Sequence, residues 1–274
     1  LGPVRCRIRD LPVGHPVSPW SRDRWLALDD GGTPLVLTPE RERADTGTPG
    51  RLGDTRVGAD LARLLPGVCH ERSTWIFDGG DAVTDARHVF IADGLVARNL
   101  HHRAHDRETL AAHLGERLGR RVVLLDGGPD HHAGMVLAAV GDDTVLVGDP
   151  SLARPFLPAA GPLCPAGDDT STITQAKFDL VAERCRAAGC RVVRIPVAPS
   201  ADGRGWMTYV NVVMDRREGV RTVYLPQFGV CPALDAAGAA VWRGLGWRVV
   251  AAPCREVFVH GGALRCLVNV LARR

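Results

Sequence analysis

Short apolar runs recur along the chain in pairs, and each pair is split by a turn rich in Gly and Asp. Trp25-Leu26-Ala27-Leu28 turns at 29–32 into Leu35-Val36-Leu37. Ala82-Val83 turns at Asp85 into Val89-Phe90-Ile91-Ala92, and Met135-Val136-Leu137-Ala138 turns at 141–143 into Val145-Leu146-Val147. Val210 to Met214 turns at Glu218-Gly219 into Val223-Tyr224-Leu225, and a fifth start, 261–268, runs toward the C-terminus. These are hairpin patterns with hairpin turn chemistry. Between them the apolar period lengthens to that of a helix. Val57, Leu61, Leu64 and Leu65 predict a helix over 57–65. Leu110, Leu114 and Leu118 predict one over 108–118, with Asp106 as its N-cap. Phe178, Val181, Ala182 and Cys185 predict one over 174–188 that ends at Gly189. Leu234, Ala237, Val241 and Leu245 predict one over 234–245 that ends at Gly246. Single strands follow at 122–125, 192–195 and 249–252.

The elements form a repeat. A loop bearing a polar or small residue leads into a strand, a turn, a second strand, a helix and a third strand. The period is irregular, about 55 to 80 residues, which suits one supersecondary unit per copy. Five hairpin starts and four helices predict an α/β ring of five pseudo-symmetric ββαβ units in one domain, 1–274. The segment 4–8 would supply the strand that completes the last unit. The Pro-, Gly- and Ala-rich stretch 150–169 reads as a long loop, a possible lid, and 39–55 as a charged surface loop.

Composition narrows the class. The 274 residues are 45% hydrophobic and 24% charged, the balance of a globular protein and not of a disordered, collagenous or coiled-coil chain. No apolar run is long enough for a membrane span. A formal net charge of +3 is too small to argue for nucleic acid. The first ten residues show no signal-peptide pattern. Eight cysteines occur without a CxxC pair or zinc-type spacing. They are expected to be reduced and mostly buried in a cytoplasmic protein. Neither a P-loop nor HExxH is present.

The repeat register selects five polar residues at equivalent places just ahead of the hairpins: Asp23, Asp78, His132, Asn211 and Cys266. Each has a bland reading. Cys266 suits a small core position, His132 a surface one, Asp23 a cap, Asp78 a turn, and Asn211 a backbone partner at a hairpin mouth. The adjacent pair His101-His102 has no repeat position and reads as solvated loop. Together, a cysteine, a histidine and carboxylates are the composition of a nucleophilic site. A nearby protonated histidine would favour the thiolate, so Cys266 is expected to be the most readily alkylated of the eight.

These residues carry a resemblance. Trp20-Ser21-Arg22-Asp23 is similar to the W-x-R-D of agmatine deiminases, and Asp78-Gly79-Gly80-Asp81 to an acidic-G-G-D/N segment. His132 falls at the histidine of an H-x-D segment. Thr208-Tyr209-Val210-Asn211 resembles S-Y-x-N, and Gly261-Gly262-Ala263-Leu264-Arg265-Cys266 resembles the Gly-rich approach to a nucleophile. In this order, over about 20–269, they resemble the guanidino-group-modifying, or pentein, superfamily of agmatine and arginine deiminases, dimethylarginine dimethylaminohydrolase and amidinotransferases.

The resemblance implies a five-unit ββαβ propeller and a cysteine hydrolase of guanidines or related linear amidines. Cys266 would attack, His132 would act as acid and base, and Asp78 would orient His132. Trp20, Arg22, Asp23, Asp81, Gly134 and Asn211 would line the substrate site. The partner would be a small guanidino or amidine molecule, with no metal, organic cofactor, nucleic acid or membrane involved. Gly134 departs from the pattern, because the deiminases carry Asp there as a second guanidinium clamp; Asp81 is a candidate to compensate. Two alternatives stand beside the hydrolase: an amidinotransferase with the same Cys/His site, and a non-catalytic binding protein of this fold.

Overall fold

The computed structural model describes residues 10–271 except 12, 43–52, 101 and 158–161. Among them are four small sheets, each beginning with the same three-strand pattern. A hairpin supplies two antiparallel strands, and a helical connection returns the third strand parallel to the second. The first sheet is β1 (Leu26–Asp30), β2 (Thr33–Thr38) and β3 (Cys69–Arg72), with α1 (Asp54–Leu64) as the crossover. The second is β4 (Ala82–Thr84), β5 (His88–Ile91) and β6 (Arg121–Leu124), crossed by α2 (Asp93–Asn99) and α3 (Arg107–Leu118). The third is β7 (Leu137–Gly141), β8 (Thr144–Asp149) and β9 (Arg191–Ala198). A two-residue β10 (Met207–Thr208) pairs antiparallel on β9. The fourth is β11 (Val213–Arg217), β12 (Val220–Gln227) and β13 (Arg248–Pro253).

Local chemistry explains the elements. Gly31 and Gly32 lie at φ 59° and 88° in the β1–β2 turn, a region open to residues without Cβ. The Asp29 carboxylate accepts from the Gly32 N–H at 2.7 Å. Asp106 caps α3 by accepting from the Thr109 N–H at 2.7 Å. Middle strands β5 and β8 are buried along their whole length, which is why they read as continuous apolar runs. Helix α4 (Ala133–Val136) leads into β7, the third crossover contains α5 (Pro150–Ala153) after β8 and α6 (Thr172–Ala187), and α7 (Pro232–Gly244) serves the fourth sheet. No helix among the described residues is long and apolar enough to cross a membrane.

Four expectations change. The start at 261–268 is not a strand: a bend and a 3-10 turn, Leu264–Leu267, occupy it. The fourth hairpin begins at Val213, because 209–211 bend into the core beside the buried Tyr209 and Asn211. The stretch 150–169 is not one long loop, since it opens with α5 and the 3-10 turn Arg154–Phe156, and Leu163 and Cys164 are buried. Of the surface loop read at 39–55, Asp54 and Thr55 are instead buried at the start of α1. The strand expected at 4–8, His101 and Cys6 lie outside the described residues.

The feature that positions the site is a ring of short turns at the hairpin mouths. The 3-10 turn Ser21–Arg24 packs on the turns Gly79–Asp81 and Leu264–Leu267, and α4 packs on Gly79–Asp81. Each carries or adjoins one of the polar residues selected by the repeat.

Candidate active site

His132 is the N-cap residue of α4 and the best-anchored member. Its Nε2 lies 3.1 Å from Asp78 Oδ2 and 3.9 Å from Asp81 Oδ1. Its Nδ1 lies 3.6 Å from Asp23 Oδ1. Asp78 and Asp81 are held by a capping box around Gly79–Asp81, in which the Asp78 N–H donates to Asp81 Oδ2 at 2.7 Å. Arg98, on α2, closes on the same Asp81 carboxylate. Gly80 makes the approach possible, for a Cβ there would stand 2.7 Å from His132 Nδ1 and 3.0 Å from Asp23 Oδ1. Burial opposes charge on His132, but Asp23, Asp78 and Asp81 outweigh it and carry the imidazolium up to about 9.

Cys266 sits in the 3-10 turn Leu264–Leu267, which packs on the turn that carries Asp23. Its Sγ is 3.5 Å from Asn211 Nδ2 and 3.7 Å from Asn211 Oδ1. Asn211 ties this turn to the histidine's helix: its Nδ2 donates to the Gly134 carbonyl at 3.1 Å, while its Oδ1 accepts from the Arg265 N–H at 2.9 Å. Burial first, and then Asp23, push the Cys266 thiol up to about 11; the Ala263 backbone, Asn211 and Arg265 act the other way without reversing it. The resting group is therefore a thiol near neutral pH, contrary to the thiolate expected beside a protonated histidine.

The remaining residues divide. Asp23 is buried and acts on both His132 and Cys266. Arg22, expected to face substrate, is instead a bracket: its Nη1 donates to Asn269 Oδ1 at 3.2 Å and its Nη2 to the Ala82 carbonyl at 3.0 Å. Burial lowers its pKa, while Asp23 and Cys266 work to raise it. Trp20 packs against Gly262, where a Cβ would stand 2.5 Å from Trp20 Cζ3. Asp81, a candidate to replace the missing clamp, is already committed to the Asp78 N–H and Arg98. At Gly134 a Cβ would meet only the Gly80 carbonyl at 3.7 Å, with Arg265 Nη1 and Val83 Cγ2 each at 4.0 Å.

Two cationic residues of this region were not singled out from sequence. Arg98 lies on a helix whose period is too short to read, and Arg265 adjoins Cys266 without any pattern that shows where its guanidinium goes. A cleft of ≈ 960 Å³ opens on the histidine side, lined by Asp81, Arg98, His131, His132, Ser200 and Gly261 among others; Cys266 is not on its wall. Asp23, Asp78 and His132 present ligand atoms within 4.8 Å of one another. An imidazolium held to about 9 must lose its proton before it can bind a metal.

What this arrangement offers chemically is a charged acid in a carboxylate cage, a thiol under the influence of one of those carboxylates, and an amide that touches the thiol and the histidine's helix. No protein-family model matches the chain, and no curated protein sequence matches it. Its fold does have counterparts. The agmatine deiminase of C. jejuni superposes with TM-score 0.66 at 16% identity over 90% of this chain and 70% of its own. The agmatine deiminase of Enterococcus faecalis gives 0.65 at 15% identity over 90% and 73%. A Porphyromonas gingivalis protein described as a candidate arginine deiminase gives 0.70 at 20% identity over 94% and 76%. At such identities the likeness is one of architecture, and the chain has the mixed α/β fold of these guanidino-group-modifying proteins.

Proposed function

We propose that this protein is a cysteine-dependent hydrolase of a guanidine or related amidine, working in one domain of five ββαβ units. The four described sheets and the packing of Ser21–Arg24, Gly79–Asp81, Ala133–Val136 and Leu264–Leu267 support the ring; the segments 261–271 and 4–8 would contribute the fifth unit. The observation that carries the activity is His132 held by Asp78 and by an Asp23 that also acts on Cys266, with Asn211 bridging Cys266 to the Gly134 carbonyl. One C. jejuni agmatine deiminase structure of this fold holds substrate in a cysteine-to-serine form.

The steps follow from the residues. A cationic head group against Asp23 offsets the charge that keeps the proton on Cys266. The Cys266 thiol gives its proton to solvent, and the resulting thiolate attacks the central carbon and forms a C–S bond. The C–N bond to the leaving amine breaks as His132 delivers its proton to that nitrogen. Neutral His132 next takes a proton from water, which attacks the same carbon; the C–S bond breaks, leaving a ureido product and Cys266. Asp78 orients the ring and stabilises its charged form. Gly134 provides no second anion and lies near Arg265, so arginine and agmatine are expected to be poor substrates beside N-substituted or less cationic amidines. The described cysteines are free, which suits a reducing compartment such as the cytoplasm.

The test incubates wild type and Cys266→Ala with agmatine, arginine, N-methylated arginines and simple amidines. Ureido product and released amine are measured, with and without an added amine acceptor. Wild type is expected to give ureido product from at least one compound and Cys266→Ala none. Turnover that survives Cys266→Ala, or no turnover of any compound, overturns the reading; a transferred amidino group replaces hydrolysis by amidinotransfer.

A further inference from the structure

Away from the centre, three side chains of different chemistry converge between the second and third sheets. Asp85 belongs to the β4–β5 turn, His88 opens β5, and Cys190 immediately precedes β9. His88 Nδ1 lies 3.1 Å from Asp85 Oδ2 and 4.0 Å from Cys190 Sγ. The three ligand atoms all fall within 4.8 Å of one another. The other Asp85 oxygen accepts from the Arg87 and His88 N–H groups at 2.7 and 2.5 Å, so the loop aims the free oxygen at the histidine. The His88 and Asp85 side chains are only 3% and 6% exposed, and Cys190 is buried with them.

We infer that Asp85, His88 and Cys190 form a structural site for a borderline-soft divalent cation of the zinc class. The donor set is mixed carboxylate, imidazole and thiolate, which such ions accept. With ligand bonds of about 2.0–2.3 Å, the edges of a tetrahedron are about 3.3–3.8 Å, and the observed 3.1 and 4.0 Å bracket them. Three protein ligands leave the fourth corner to water, and the Cys185 carbonyl at the end of α6 accepts from the Cys190 N–H at 3.0 Å and holds Cys190 in place. The ion would tie a hairpin of one unit to the return strand of the next, a stabilising role independent of turnover at Cys266.

The test uses the full chain purified under reductant. Bound zinc is measured by elemental analysis, and cobalt(II) replaces it so that thiolate-to-metal charge-transfer absorption reports the cysteine ligand. About one ion per chain is expected, with the charge-transfer band present and a thermal midpoint raised by zinc. Cys190→Ser should abolish the band, and His88→Gln should weaken affinity by at least about tenfold; the second variant serves if the first fails to fold. Cys69→Ser, an exposed cysteine elsewhere, and Asp23→Asn should leave the binding intact. Absence of stoichiometric zinc and of the cobalt band overturns the inference. Binding that persists in both Cys190→Ser and His88→Gln, or that depends on Asp23 instead, also overturns it.

Discussion

His132 and Cys266 sit at turns that are built differently, and Asp23 acts on both. His132 begins a helical turn continuous with the strand β7, and three carboxylates from two other turns hold its ring. Cys266 rides on a 3-10 turn with no strand behind it, and its thiol touches Asn211. The first side is stabilised in its charged form, up to about 9, while the second is pushed toward its neutral form, up to about 11. His132 is therefore held in its charged form and Cys266 in its neutral one, and in the proposed reaction a cationic substrate at Asp23, which acts on both groups, would alter that balance.

The largest effect should come from the histidine side. His132→Asn removes the acid and base and should lower turnover by about 10²–10⁴-fold. Asp78→Asn keeps the ring but removes its hydrogen-bonded anion, and should show the linkage directly. A histidine raised from 6.5 to about 9 contributes stability that is fully present below about pH 6.5 and lost as pH rises through 9. The difference in thermal midpoint between wild type and Asp78→Asn should therefore shrink across pH 6.5–9. A difference that stays constant, or widens, would show that Asp78 does not set the charge of His132.

The nucleophile side should differ in reactivity. Without substrate at pH 7, iodoacetamide should label the exposed Cys69 at least about tenfold faster than Cys266, whose buried thiol holds its proton. This reverses the expectation drawn from the sequence. Mass mapping of a short labelling time decides it, and preferential labelling of Cys266 would erase the contrast between the two sides. Glycine substitutions sharpen the same contrast as stability. Gly80→Ala drives a Cβ into a ring that its carboxylates do not release, and should cost about 1–3 kcal/mol. Gly262→Ala meets the edge of the partly exposed Trp20 ring and no charged group, and should cost less. Denaturant unfolding of both variants checks the order.

How much of this was legible depends on whether a residue's neighbours are local. The hairpins were legible because their apolar strands alternate with Gly and Asp turns, and the positions of Asp78 and His132 ahead of those hairpins were legible with them. Strand β3 was not, since Cys69–Arg72 is exposed at every position and so shows no alternation of apolar and polar residues. Helix α2 was not, because seven residues with Leu95 and Val96 buried make too short a period. The commitment of Asp81 to Arg98 was hidden with that helix. Leu163 and Cys164 looked like loop because Pro, Gly and Ala surround them, yet their burial against the third and fourth sheets is a tertiary fact. The neutral state of Cys266 was illegible for the same reason, as it depends on depth and on Asp23, 243 positions away in the chain.

The smallest effect tests the gap between the two sides. Gly134 follows His132 by two positions, and its carbonyl is bound by the amide that touches Cys266. An added Cβ meets nothing closer than 3.7 Å, so Gly134→Asp should fold. The new carboxylate would not be free to clamp a substrate, because Arg265 Nη1 stands 4.0 Å from the Cβ position and would pair with it. Gly134→Asp alone should therefore change turnover of arginine or agmatine by less than about threefold. Combining it with Arg265→Gln removes the competing cation and exposes the anion to the substrate. That double variant should gain up to about tenfold for each ~1.4 kcal/mol of transition-state stabilisation. Steady-state rates for wild type, the two single variants and the double variant close the cycle. A full gain in Gly134→Asp alone would show that Arg265 does not guard this position. Efficient turnover of either compound by wild type would show that the centre needs no second carboxylate at all.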